Sequence, residues 1–180
     1  MKKEHIHKIK VPDGVAVEIH GHDISVAKGG KKLSKDMGTD DVSLSVLGNE
    51  IVLKPVKNSR RENAIAQTLA AHVQNLLLGL DGEFEYKMAV VFSHFPMTVA
   101  VKGTKVEINN FTGEKKPRIA NIIGQTKVDI KGKDVVVHGN NKDHTSQTAA
   151  NIETATRITG KDRRVYQDGI YVTQKNFVKG

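Results

Sequence analysis

Two His-x-His pairs, His5 with His7 and His20 with His22, are the first residues whose type and spacing could do chemistry. Alternate residues on a strand share a face, so each pair could offer two imidazoles to one metal ion. A metal site needs further ligands. The chain has no Cys, and no third ligand cluster completes either pair, which therefore read as solvent-facing strand edges. Ser93-His94 suggests a nucleophile and its base, but a triad also needs a positioned third group and an oxyanion hole. Neighbours on a strand also point to opposite faces. Gly29-Gly30-Lys31-Lys32 and Gly113-Glu114-Lys115-Lys116 invite a phosphate-loop reading. A P-loop needs two glycines five apart, then Lys-Ser/Thr opening a helix, and neither segment has that spacing. Both read as basic hairpin tips, the sharper cluster being Lys115, Lys116 and Arg118. No paired carboxylates stand out for acid–base work. The expectation is that the chain is not an enzyme.

The strongest constellation is basic: Arg157, Lys161, Arg163 and Arg164. Cations at a helix C-terminus can simply complement its dipole, which accounts for Arg157. Arg163 and Arg164 lie beyond Gly160, past the expected helix end, and arginine's planar fork suits phosphate. The whole chain carries a formal charge of +8, unevenly spread. Residues 1–81 hold 12 Lys and Arg against 10 Asp and Glu, and residues 82–180 hold 16 against 10. The second half, at +6 against +2, is the expected contact with a polyanion. Aromatic residues make up only 4% with no Trp, which argues against base stacking as the grip.

The elements that position these residues occur twice. Val11-Pro12, Val15-Ala16-Val17, Gly21, the Ile24/Val26 alternation and Gly30-Lys31-Lys32 form one series. Phe95-Pro96, Val99-Ala100-Val101, Gly103, the Val106/Ile108 alternation and Gly113 before Lys115-Lys116 form the other. Val42–Val46 and Ile51–Leu53 match Val128–Ile130 and Val135–Val137, and helical stretches with Gln67-Thr68 and Gln147-Thr148 follow. A shared order of this length indicates duplication. The expected fold class is α+β: two tandem domains, 1–81 and 82–180, each a small, mainly antiparallel sheet packed with one helix. The first helix opens on the capping box Ser59-Arg60-Arg61-Glu62, with the stripe Ile65, Leu69, Val73, Leu76, Leu77 and a stop at Gly79. The second is expected near Asp143–Thr159, with the stripe Ala149, Ile152, Ala155, Ile158 and a stop at Gly160. Phe84, Tyr86, Met88 and Val90 alternate as the opening strand of the second domain after a short linker at Gly79–Gly82. No signal peptide or membrane span is evident, and a cytoplasmic protein is expected.

Residues Gly139-Asn140-Asn141-Lys142-Asp143-His144-Thr145-Ser146-Gln147-Thr148-Ala149-Ala150-Asn151-Ile152 resemble the signature Gly-x-Asp-Lys-x-x-Val-Gly-Gln-x-Ala-Ala-x-Ile. That signature belongs to the family of the sixth protein of the large ribosomal subunit. The resemblance covers nearly the whole chain. The tail Lys161–Tyr171 and His94-Phe95-Pro96 look like its archaeal and eukaryotic branch, the short chain its archaeal type. Asn141, Thr145 and Ser146 depart from the signature, and the bacterial Pro-rich stretch is replaced by Thr159–Arg164. The resemblance implies a structural protein of the large subunit with no cofactor and no metal. It implies that the second domain binds large-subunit, 23S-type rRNA beside the sarcin–ricin loop and near the stalk base. Neighbouring ribosomal proteins and nearby translation factors would be its other partners, and no membrane. Arg157, Lys161, Arg163 and Arg164 form one expected contact region, Lys115, Lys116 and Arg118 another. Lys142 and Gln147 lie at the start of the signature helix, and His94 in the branch-specific segment. The rival reading is a tandem-domain adaptor that joins protein partners without binding RNA. A weaker one is a metal-dependent enzyme using the His-x-His pairs.

Overall fold

The computed structural model describes residues 6–57, 59–93, 95–162 and 164–179. Contacts divide the chain into two units, residues 1–81 and 82–180. In unit 1 the order is β1 (His7–Lys10), β2 (Ala16–His20), β3 (Asp23–Lys28), β4 (Lys31–Asp36), β5 (Val42–Leu47), β6 (Glu50–Pro55) and α1 (Arg60–Asp81). In unit 2 it is β7 (Gly82–Val91), β8 (Thr98–Lys102), β9 (Lys105–Asn109), β10 (Arg118–Asn121), β11 (Lys127–Lys131), β12 (Asp134–Gly139), α2 (Lys142–Ala155) and β13 (Gly169–Lys179). The fold is α+β, and every strand pairing is antiparallel.

Each unit holds two small sheets rather than the single one expected. Unit 1 has β1-β6-β5 and β2-β3-β4, and unit 2 repeats the pattern as β7-β12-β11 and β8-β9-β10. The duplication is therefore preserved as topology. Alternation fills the space between sheets and helix: Ile24 and Val26 of β3, Ile51 and Leu53 of β6 and Val73 of α1 are all fully buried. In unit 2, Val106 and Ile108 of β9, Val135 and Val137 of β12, and Ile152 of α2 take the matching roles. Each such side chain contributes about 1.5–3 kcal/mol. Gly29 and Gly30 alone join β3 to β4, at φ 57° and 83°, the two positive angles a tight type I′ hairpin turn requires.

Three boundaries differ from expectation. Gly79 does not stop α1, which runs on to Asp81. Leu80 is buried in the core and the Asp81 carboxylate pairs with Lys28 Nζ at 2.6 Å, so tertiary contacts hold the last turn. With β7 starting at Gly82, no loop intervenes. Helix α2 ends at Ala155, not near Thr159. The buried Thr156 hydroxyl accepts from the Ile170 N–H at 3.0 Å, tying the chain to β13, and Ile158 reaches the core from outside the helix. Finally, the tail forms β13, which pairs along the outer edge of β7 with a bulge between Val172 and Gln174. Among the described residues, unit 1 has no counterpart to it.

Candidate nucleic-acid interface

The cationic surface of unit 2 begins at the link between β9 and β10, a longer excursion than the hairpin tip expected. Asn110 and Thr112 adopt left-handed backbone angles, φ 57° and 48°, around a 3-10 turn at Phe111–Gly113. Each costs about 1–3 kcal/mol in a residue with a Cβ, so surrounding contacts must hold the turn. Phe111 does this, being almost wholly buried, and Asn110 Nδ2 donates to the Pro96 carbonyl at 3.0 Å. The turn projects Lys115 and Lys116 into solvent.

Arg118 is used differently. Its Nε and Nη2 donate to the two Glu114 oxygens at 2.9 and 2.6 Å, and Nη1 donates to the Ala155 and Arg157 carbonyls at 2.9 and 3.1 Å. The guanidinium lies 4.1 Å from the Phe111 ring centroid. Its hydrogen bonds hold the Glu114 carboxyl below its ordinary value, outweighing partial burial. Arg118 is thus committed to internal partners and fastens the 110–117 loop to the end of α2. Between them lies a groove of about 250 Å³ lined by Thr112, Gly113, Thr159 and Lys161 among others. The fastening ties the loop that carries Lys115 and Lys116 to the segment that carries Arg157 and Lys161; all four are exposed, and Lys161 also lines the groove. Lys161 Nζ stands 4.7 Å from the Tyr166 ring centroid. Sequence reasoning missed Glu114 and Tyr166, which orient these cations.

Lys142 and Gln147 are not part of this cluster. They lie toward the other end of α2, Lys142 about 20 Å and Gln147 about 12 Å along the helix from Ala155. The Asn141 side chain already accepts from the Asp143 and His144 N–H groups at 2.9 and 3.3 Å, so those amides are not open to an anion. Lys142 Nζ lies 5.8 Å from the Phe84 ring centroid, and Gln147 Nε2 donates to Asn151 Oδ1 at 3.0 Å. Departures from the family signature fit their places. Asn141 caps as Asp would, the buried Thr145 donates its hydroxyl to the Asn141 carbonyl, and Ser146 donates to the Asp143 carbonyl. Arg164 is exposed beside Val91, Gln167 and Tyr171. Arg163 and His94 lie outside the described residues.

The enzymatic candidates also find their places. His20 and His22 flank Gly21 at the tip of the β2–β3 hairpin instead of sharing a strand face, and His22 Nε2 is 3.0 Å from Asp40. His5 lies outside the described residues. Ser93 follows β7 in a bend, and its N–H donates to the buried Asp168 at 2.7 Å. Among the described residues no group of three or more His, Asp or Glu is placed to hold a metal ion. Nor is any helix long and apolar enough to cross a membrane.

The family profile described as Ribosomal protein L6 matches residues 95–169, which hold the loop, the groove and α2. Large ribosomal subunit protein uL6 of Methanosarcina mazei is 43% identical over 176 residues, covering 97% of this chain and 99% of that protein. The uL6 protein of Thermoplasma acidophilum is 44% identical over 167 residues, covering 93% and 94% respectively. The chain belongs to the uL6 family. As a uL6-type protein it is a structural, non-enzymatic constituent of the large ribosomal subunit, and its place is the ribosome in the cytoplasm. The resemblance of its tail to the archaeal branch agrees with these relatives.

Proposed function

We propose that unit 2 of this uL6-type protein grips large-subunit, 23S-type rRNA, beside the sarcin–ricin loop and near the stalk base where translation factors dock. The observation that carries the reading is the convergence of Lys115, Lys116, Arg157 and Lys161 on two loops that Arg118 holds together. Four exposed ammonium and guanidinium groups on two fastened loops, with Lys161 lining the groove between them, suit a phosphate backbone, and their attraction is strengthened by counterion release. Few aromatic rings are on hand to stack bases, so RNA shape and phosphate position set the specificity. Arg164 extends the surface, and Arg163 and His94 join it on the sequence argument. Lys142 and Gln147 would meet a separate stretch of RNA. Arg118 supports the grip from within. Unit 1 faces neighbouring ribosomal proteins or solvent.

The experiment is a salt titration of binding to a large-subunit rRNA fragment containing the sarcin–ricin loop and the helix beside it. Replacing Lys115 and Lys116 with Gln should weaken binding and lower the salt slope by about 2, one per lost phosphate contact. The same loss is expected for R157Q with K161Q. An unchanged slope in both pairs, with no footprint on the fragment, would leave the adaptor reading in its place.

A further inference from the structure

Arg61, Ala64, Ile65, Thr68, Leu69 and His72 recur along α1 at steps of three and four, so they form one face about three turns long. Lys35 of β4 and Met37 just beyond it stand opposite, and together these eight residues line a groove of about 460 Å³. Its floor is aliphatic: Leu69 and Met37 are buried, and Ile65 is half-buried. Its rim is cationic. Lys35 and Arg61 are basic and none of the lining residues is acidic, and Lys35 Nζ donates to His72 Nδ1 at 3.0 Å at one end.

The position of Arg61 argues separately. Arg60 and Arg61 share the first turn of α1 with Glu62, whose carboxylate accepts from the Lys57 and Ser59 N–H groups. The helix dipole disfavours cations in that turn, while the last turn, where it favours them, has none. Cations set against the helix's own field are what an anionic partner would offset.

We infer that this groove binds an acidic amphipathic segment of a neighbouring protein. Apolar side chains at helical spacing would enter between Met37, Ile65 and Leu69, and carboxylates would meet Lys35 and Arg61. The floor favours a peptide over nucleic acid, since a nucleic-acid strand would need a ring to stack on or a continuous row of cations, and aliphatic carbon supplies neither. The groove lies wholly within unit 1, so the inference stands independently of the rRNA reading for unit 2.

The test uses the full chain and a fluorescent peptide of about three helical turns, with Leu along one face and Glu elsewhere. Controls are its Glu-to-Lys and Leu-to-Ser versions and a single-stranded RNA of similar length. Binding should shift the methyl resonances of Met37 and Ile65, and neither control peptide should do so. R61E and K35E should each weaken the acidic peptide about tenfold. R61E should not lower the unfolding temperature, because Glu suits that turn of the helix. T68W, which fills the groove without changing charge, should abolish binding. The inference is overturned if the acidic peptide fails to bind, if it shifts resonances elsewhere, or if the Lys version binds equally. It is also overturned if the RNA displaces the peptide from these methyl groups, which would assign the groove to nucleic acid.

Discussion

His138 shows how one residue couples three strands. On β12 its Nδ1 is 2.9 Å from Glu83 of β7 and its Nε2 is 3.0 Å from Asp129 of β11. Burial alone would lower its pKa, but hydrogen bonds and attraction from the two carboxylates outweigh it, and the net shift is upward. A raised folded-state value means the protonated imidazole stabilises the fold fully below its unfolded value near 6.5 and stops doing so as pH rises through the folded value. H138Q should therefore be less stable than wild type by up to about 1 kcal/mol in mild acid, the carboxylates being well exposed. That gap should close in mildly alkaline solution, and denaturant unfolding across this range would show it; a constant gap would refute the charged bridge. Arg118 makes a second residue-scale prediction. R118Q should cost about 2 kcal/mol through lost charge-assisted bonds and weaken RNA binding while leaving its salt slope unchanged. A slope lowered as in the Lys115/Lys116 variants would instead make Arg118 a phosphate contact. The sequence marked Lys115, Lys116 and Arg118 as one cluster because all three are basic. It could not separate them, since what commits Arg118 to the interior is the distant Ala155 and Arg157 carbonyls.

At the scale of elements, starts were more legible than ends. The α1 capping box forms as read: Glu62 N–H donates to Ser59 Oγ at 3.2 Å, and Glu62 Oε2 accepts from the Ser59 and Lys57 N–H groups at 3.5 and 2.7 Å. That code is local, so four residues suffice to show it. S59A should cost about 1 kcal/mol, checked by denaturant unfolding, with S59D retaining most of the stability. The α1 end rests on Lys28, far along the chain, and no local signal announces it. Strand β13 was illegible for another reason: from Thr173 to Lys179 it is exposed, so no apolar alternation marks it. Its pairing depends on Gly82. A Cβ there would overlap the Val178 carbonyl oxygen and lie 2.7 Å from the Phe177 ring. G82A should thus cost about 2–3 kcal/mol and release hydrogen-exchange protection in the 175–179 segment. G103A, at a turn of φ +58° with open space around it, should cost only about 1 kcal/mol from backbone strain and leave β13 protected.

Across the whole molecule the duplicated topology and the charge have diverged. The paired series of turns and strands was legible because copies preserve order. The split of each unit into two sheets was not, because strand partnership joins residues far apart in sequence. Each unit has its own apolar core, with no residue common to both. Such units should fold separately, and a chain cut between them tests whether binding follows charge or fold. Residues 82–180 alone, with a net charge of +6, should bind the rRNA fragment with the full chain's salt slope. Residues 1–81 alone, at +2, should fold cooperatively yet bind the fragment no better than a protein of similar charge picked at random. Circular dichroism and thermal unfolding of each piece would first establish that it is folded, so a missing interaction could not be laid to disorder. If residues 1–81 protected the fragment as strongly as residues 82–180, the common fold would be the RNA-binding element. The cations around the Arg118 fastening would then be incidental to the grip.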